Sequence, residues 1–382
     1  MTLNPKAIPL SLYVHWPWCV RKCPYCDFNS HASGTVPETR YVEALLQELE
    51  REAHLAVGRE IRTIYFGGGT PSLMSAEGFT ALLDGIRRRV CVASDAEISM
   101  EANPGTADEE KFEAYAEAGV NRLSLGIQSF DDASLKRLGR IHDRAAAVRA
   151  LEKAVRIFPR VNADLMFGLP FETIERLRDE VAALVDSKTT HVSCYQLTIE
   201  SGTALAKRVP EGLPDEDLAA DLEEAVVSLL ARAGFVRYEV SGYTKSDEIC
   251  RHNLNYWTFG DYLAIGAGAH AKVTTESGIF RAARFANPER YMRAVEEGVA
   301  PYEENRRVTA EELPFEFMLN ALRLTAGVPK RLWTERTGLS DDVIAERVAQ
   351  LCDEGLWTTE ADRIGTSPRG FAFLSSVQEA FL

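Results

Sequence analysis

Six short β-rich runs, separated by longer amphipathic ones, fill the first half of the chain. The β-rich runs are 9–15, 61–66, 96–104, 121–130, 161–170 and 191–200. Between them, apolar residues recur on one face of helical segments near 38–57, 75–90, 107–118, 143–157 and 172–187. Antiparallel strands can be joined by a two-residue turn, whereas parallel strands need a crossover about as long as a helix. The spacing therefore predicts an α/β fold with parallel strands, either an open doubly wound sheet or a barrel. The polar signals gather where strands hand over to loops: cysteines after the first, glycines after the second, then Glu101, Gln128 and Asp164. In (β/α) barrels the C-terminal strand ends build the active site. Six units rather than eight predict a partial (β/α)6 barrel with a wide mouth, assigned to residues 1–235.

After about residue 235 the rhythm changes. Residues 236–308 are rich in Gly, Asn and aromatics and lack a long helical period, which predicts an extension of the barrel. Residues 309–382 carry helical runs and then short strand-like pieces, which predicts a C-terminal α+β winged-helix-like domain. The net charge of −14 leaves no basic face for tracking phosphates, so this module is expected to be a lid or docking piece and no nucleic-acid partner is expected. One sequence, Gly266-Ala-Gly-Ala-His-Ala271, fits a dinucleotide fingerprint, but it opens no helix and sits in no first βαβ unit.

Seven cysteines, three clustered and four scattered, do not form a disulfide framework and predict a reducing, cytoplasmic setting. The opening segment lacks a long apolar core, so no signal peptide is expected. No run of 18 apolar residues predicts a membrane span; peripheral membrane contact stays open.

The clustered cysteines, Cys19, Cys23 and Cys26, have the spacing C-x3-C-x2-C, and Phe28 stands where a fourth could follow. Structural zinc wants four ligands, and His15 and His31 are the nearest extra candidates. Ferredoxin-type clusters use four cysteines in other spacings. A [4Fe–4S] cluster on three cysteines leaves one iron open to a chelating small molecule. Pro24 and Tyr25 stiffen this loop, and Trp16, Trp18 and Phe28 are expected to shield it from water. Gly67, Gly68 and Gly69 allow a close backbone approach to a ligand.

The run CVRKCPYC after one strand and GGGTPS after the next resembles the radical S-adenosylmethionine (SAM) superfamily. The resemblance implies a [4Fe–4S] cluster on Cys19, Cys23 and Cys26, with SAM on the open iron. It places Tyr13 and Tyr25 beside cluster and ligand, and Gly68, Gly69 and Thr70 at the methionine end. Glu101, Gln128, Arg140 and Asp164 would bind the amino-acid and nucleoside parts. Internal salt bridges or caps are the plainer reading of Glu101 and Asp164.

The stretch SLYVHWPWCVRKCPYCDFNSH and the segments above resemble the oxygen-independent coproporphyrinogen III oxidase family along most of the chain. Its decarboxylating branch has a further cysteine two residues after the third and an N-terminal extension. This chain has Phe28 and only eighteen residues before Cys19. The heme chaperone branch, HemW, carries H-N-x-x-Y-W, present here as His252-Asn253-Leu254-Asn255-Tyr256-Trp257. That resemblance implies heme as cargo, His252 as its axial ligand, and delivery to a heme-accepting, respiratory protein. It leaves the cluster a regulatory or structural role, including in a homodimer, and assigns no catalytic residue. Tyr256 and Trp257 offer flat apolar surface, and Arg251, Arg281 and Arg284 are the cations nearest in sequence for propionates. His270 and His31 are weaker heme candidates, and a histidine packed with two aromatics at the barrel edge is the plain alternative. Two enzyme readings stand beside the chaperone: radical decarboxylation of coproporphyrinogen III, and radical chemistry on another tetrapyrrole.

Overall fold

The computed structural model describes residues 3–106, 109–245 and 247–382. Strands β1 (Leu10–Trp16), β2 (Ile61–Gly68), β3 (Val92–Ala102), β4 (Arg122–Gln128), β5 (Arg160–Phe167) and β6 (His191–Gln196) lie parallel and side by side in chain order. The helices α1 (Glu38–Glu52), α2 (Ala76–Arg89), α3 (Glu109–Ala118), α4 (Arg144–Ile157) and α5 (Ile174–Asp186) form the crossovers. Residues 107 and 108 of the expected third helix lie outside the described residues. A sixth helix, α6 (Glu216–Arg232), goes beyond the sequence expectation; Asp215 caps it by accepting from the Leu218 N–H.

Strand order decides between the two α/β alternatives. A doubly wound sheet reverses direction at a switch point. Here each right-handed crossover steps the same way, so the helices collect on one face and the sheet winds as a barrel. The 236–308 segment enlarges this sheet. Strands β7 (Val236–Arg237) and β8 (Gly242–Thr244) extend it beyond β6, while β9 (Asp261–Ile265) pairs parallel with β1. Then β10 (His270–Thr275), β11 (Gly278–Arg284) and β12 (Tyr302–Arg307) continue antiparallel to a total of twelve strands. Among the described residues the outermost strands do not pair with each other, so the barrel stays open. The Gly266–Ala271 sequence is the tight β9–β10 connection; Gly266 has φ +107° and donates its N–H to Glu48.

The strands alternate over most of their length. Leu12 and Val14, Ile98 and Met100, and Ala163 and Leu165 face the helices and are buried. Their neighbours facing the barrel interior are polar, such as Tyr13 and His15, Glu97 and Glu101, and Asn162 and Asp164. Buried parallel strands usually read as unbroken apolar runs, so this interior must satisfy its own hydrogen bonds. It does so across strands: Asn162 donates to Ser124 and to Asp164 at 2.7 Å each, and its carbonyl oxygen meets His191 Nδ1 at 2.6 Å.

A short helix, α7 (Arg251–Trp257), closes the N-terminal end of the barrel. It has no side-chain cap of its own. Instead the carboxylate of Glu97, fully buried on β3, accepts the N–H groups of Arg251 and His252 at 3.1 and 3.0 Å. The other side of α7, with Leu254 and Trp257, packs on a second apolar core. That core belongs to the C-terminal module of α8 (Leu313–Ala321), α9 (Arg331–Thr337) and α10 (Asp342–Asp353), with a small wing where Val328–Pro329 pairs antiparallel with Arg363–Ile364. Phe317 sits between Trp333 and Phe259, at 5.4 Å from each ring, so the barrel extension supplies part of this core.

Candidate functional site

The cysteine loop leaves β1 through Pro17 and is closed at its base, where Trp18–Cys19 pairs with His31–Ala32. Each cysteine sulfur has at least one polar neighbour. Thr70 Oγ1 donates to Cys19 at 3.5 Å, Arg140 Nη1 donates to Cys23 at 3.5 Å, and Ser30 Oγ lies 3.7 Å from the Cys26 sulfur. Asn103 links two of these donors. Its Nδ2 donates to Thr70 at 3.0 Å, and its Oδ1 accepts from Arg140. Donors aimed at sulfur favour thiolate, the form that binds metal. Burial still pushes the Cys19 thiol up, so a thiolate there calls for a bound positive charge.

Zinc finds no fourth ligand here. His15 has Nε2 on the Asn29 carbonyl at 2.8 Å and Nδ1 on the Tyr13 hydroxyl at 2.9 Å. His31 Nε2 is within 3.3 Å of Asn29 Oδ1 and the Ala286 carbonyl. No three His, Cys, Asp or Glu side chains among the described residues converge as a mononuclear metal needs. The expected aromatic shield is also different. Trp16 alternates with His15 on β1 and so points toward the helices, where it and Trp18 stack edge-on against Tyr41. Phe28 is 64% exposed at the rim.

A cleft of about 330 Å³ at the C-terminal strand ends brings together Cys19, Cys23 and Cys26 with Tyr25, Gly68, Gly69, Thr70, Glu101, Gln128, Arg140 and Asp164. Tyr13 is not in its wall; it lies beneath, stacked on Tyr65 at 6.3 Å. Sequence reasoning missed Asn103 and Tyr195. Asn103 follows Glu101 by two residues and so shares its face. Tyr195 ends β6 and donates to Gln128 Oε1 at 2.7 Å. Gln128 itself has φ +69°, a left-handed conformation rare outside glycine and common at ligand sites.

The glycines serve packing first. A Cβ on Gly69 would lie 2.5 Å from the Trp18 carbonyl, and one on Gly68 2.6 Å from the His15 ring. The N–H groups of Gly68, Gly69 and Thr70 are all taken, by Glu101, Trp16 and Trp18. This segment therefore offers a ligand acceptors rather than donors, which suits an amino group better than a carboxylate.

Two glutamates on one face of β3 titrate in opposite directions. Burial alone would raise Glu97, but Arg122, Arg160 and the two α7 N–H groups hold it below the usual range. Glu101 is pushed up to about 7, by burial and then by Asp164; only the Tyr65 hydroxyl at 2.8 Å and the Gly68 N–H at 3.2 Å oppose this. Burial likewise takes Asp164 up to about 6. Arg122 opposes the rise at Asp164, whereas no cation opposes that at Glu101, which leaves Glu101 a natural seat for a positive charge.

His252 lies elsewhere, at the opposite end of the barrel on α7. It is 1% exposed. Its Nδ1 meets Thr63 Oγ1 at 2.7 Å, its Nε2 meets the Tyr256 hydroxyl at 2.7 Å, and its ring stacks on Tyr65 at 5.0 Å. Burial holds its pKa down at about 3, so the ring is neutral and both nitrogens are engaged. Tyr256 packs on Tyr262 at 4.5 Å, and Arg323 covers the Trp257 ring at 4.3 Å. The expected propionate cations divide. Arg284 is buried on Glu48 at 2.7 Å, and Arg281 is bound to Glu316 and to Tyr262, whereas Arg251 is exposed. His270 is exposed on β10.

Comparison with known proteins matches this architecture. Residues 13–184 fit the family model of the Radical SAM superfamily, and residues 308–373 that of the HemN C-terminal domain. The solved structure of coproporphyrinogen III oxidase (HemN) from Escherichia coli shares the fold, with a TM-score of 0.84 at 22% identity over 99% of this chain and 91% of that one. Heme chaperone HemW of Escherichia coli (strain K12) is 46% identical over 380 residues, covering 99% of each chain. Heme chaperone HemW of Haemophilus influenzae is 44% identical, again over 99% of each. Likeness at that level, running from before the cysteine loop through the winged module, shows that the chain belongs to the HemW family of the radical SAM superfamily.

Proposed function

We propose that this chain binds heme and passes it to an acceptor protein, and that it carries a [4Fe–4S] cluster on Cys19, Cys23 and Cys26 with exchangeable SAM beside it. The observation that carries the reading is the full-length likeness to heme chaperones at 46% identity. The residues fit the cofactors: three sulfurs with polar neighbours and, lining the same cleft, the Glu101 carboxylate without a cation beside it. Bound there, cluster and SAM supply one-electron chemistry. Tyr25, Gly68, Gly69 and Thr70 lie beside the cluster and the methionine end; Glu101, Gln128, Arg140 and Asp164 take the rest of SAM. The acceptor is a respiratory heme protein, met in the cytoplasm or at a membrane surface. Among the described residues no helix is long and apolar enough to cross a membrane. Phe28, at the place of the fourth cysteine of the decarboxylating branch, weighs against coproporphyrinogen oxidation.

Axial ligation of heme by His252 is part of the proposal and carries a condition. Nε2 becomes available only when the Tyr256 hydroxyl leaves it and α7 shifts from the barrel end. The test is an anaerobic heme titration of cluster-loaded protein, followed at the Soret band. Saturation at a fixed stoichiometry, then transfer to an apo heme protein, is the expected result; binding that never saturates overturns the reading. Tyr256→Phe, which frees Nε2 while keeping the ring, should tighten heme binding if His252 is the ligand and leave it unchanged if it is not.

Arg140 gives a separate check on the cluster. Its guanidinium donates to the Cys23 sulfur and stabilises the more negative, reduced state. Arg140→Met should lower the cluster's reduction potential by on the order of 60 mV, a tenfold change in the one-electron equilibrium. An unaltered potential would remove Arg140 from the cluster's surroundings.

A further inference from the structure

The N-terminal end of the barrel holds a second cleft, of about 610 Å³, on the far side from the cysteines. Residues before β1, the entry to β2 and α7 form its walls. Its charged lining consists of Lys6, Arg59, Arg62 and Arg251 against a single carboxylate, Glu60. In a chain with 57 acidic and 43 basic residues, a four-to-one excess of cations in one cleft runs against the composition.

Arg59 is the unusual member. Its side chain is 4% exposed. Nη2 donates to the Ile8 carbonyl at 2.8 Å and to Asp261 at 2.9 Å, but Nε and Nη1 have no hydrogen-bond partner among the described residues. Asp261 is shared with Lys272 at 3.0 Å, so it neutralises only one of two buried cations. Buried guanidinium N–H groups without acceptors are costly and call for an anion. At the rim, Arg62 has among the described residues only Glu60 at 3.7 Å, an exposed pair of little worth; Arg251 has Asp95 at 3.4 Å, the Asp95 carbonyl and, at 4.0 Å, Glu97, but its side chain is still 44% exposed. Thr63, the hydrogen-bond partner of His252 Nδ1, lines the same cleft, so its contents lie one side chain away from that imidazole.

We propose that this cleft is the site for the carboxylate edge of a tetrapyrrole, with Arg59 at its inner end and Arg62 and Arg251 at its rim, setting the macrocycle against α7. The proposal rests on the heme reading above and replaces Arg281 and Arg284, which are engaged inside the protein, as the propionate cations. It assigns the two carboxylates of heme to a face of the barrel separate from the SAM cleft.

The test compares heme with its dimethyl ester, in which the carboxylates are capped, on cluster-loaded wild type and on the surface double variant Arg62→Glu, Arg251→Glu. Arg59 stays in place, because its buried side chain also ties the Ile8 carbonyl to Asp261. The expected result is heme bound at least about tenfold more weakly by the variant, with the ester bound weakly and equally by both proteins. Equal heme affinity in the two proteins overturns the basal site and leaves the heme reading standing. An equal loss for heme and ester also overturns it, since the charges would then act on something other than carboxylates. No saturable heme binding by wild type sinks the heme reading and this proposal with it.

Discussion

Replacing Glu97 by alanine should destabilise the heme-free protein by about 3–5 kcal/mol, a large share of the stability of an ordinary domain. The carboxylate is fully buried, holds Arg160 at 2.5 Å, offsets Arg122 and caps α7. Its loss leaves cations and helix N–H groups inside the protein without an anion. Because its pKa is depressed in the folded state, its contribution is present above the unfolded value of 4.5 and is lost as pH falls through the lower, folded one. Denaturant melts of wild type and variant measure the difference. A change under about 1 kcal/mol would mean that water enters the barrel end and solvates the cations. The same measurement belongs beside any His252→Ala result, since that substitution also removes two buried hydrogen bonds and a ring stack.

SAM should bind cluster-loaded protein more tightly as pH rises, by up to tenfold per unit below about pH 7. In the SAM-free state Glu101 has a raised pKa, so its stabilising contribution is complete below 4.5 and is lost as pH rises toward about 7. A cationic ligand beside it holds it ionised, so binding releases a proton, and affinity falls where that proton is already bound. The thermal shift produced by SAM should accordingly grow from about pH 6 to about pH 8. Glu101→Gln should weaken SAM about tenfold or more and flatten the pH profile. A flat wild-type profile would show that Glu101 does not face the positive charge.

Much of this was legible in the sequence because period and spacing encode it. The six parallel strands begin within a few residues of their expected positions, as do the first five helices, since each strand sets a single apolar stripe against the helices. Strand order was not legible: local pattern cannot tell a sheet that winds one way from one that reverses. The same holds for β7 to β12, whose short runs acquire strand character only by pairing with edges already formed. The cleft residues were largely legible because strand ends point to one place. Asn103 was recoverable from the alternation that exposes Glu101. His252 is different. A motif fixes neighbours along the chain but not the side of the helix that meets solvent, and here Glu97, 155 residues away in sequence, turns His252 inward. Arg59 carried no local signal at all; its missing acceptors follow from contacts with Ile8 and Asp261, which are far apart in the chain and meet where β1 pairs with β9.

Helix α7 also leaves the molecule without a clean seam. One of its sides closes the barrel through His252, and the other is bedded in the C-terminal core through Leu254 and Trp257. Neither module can present a finished surface without the other, so barrel and wing should melt in one cooperative transition rather than two. Any event that draws α7 out of the barrel must at the same time loosen the wing, so the C-terminal module and the state of the barrel's base are coupled through one short helix.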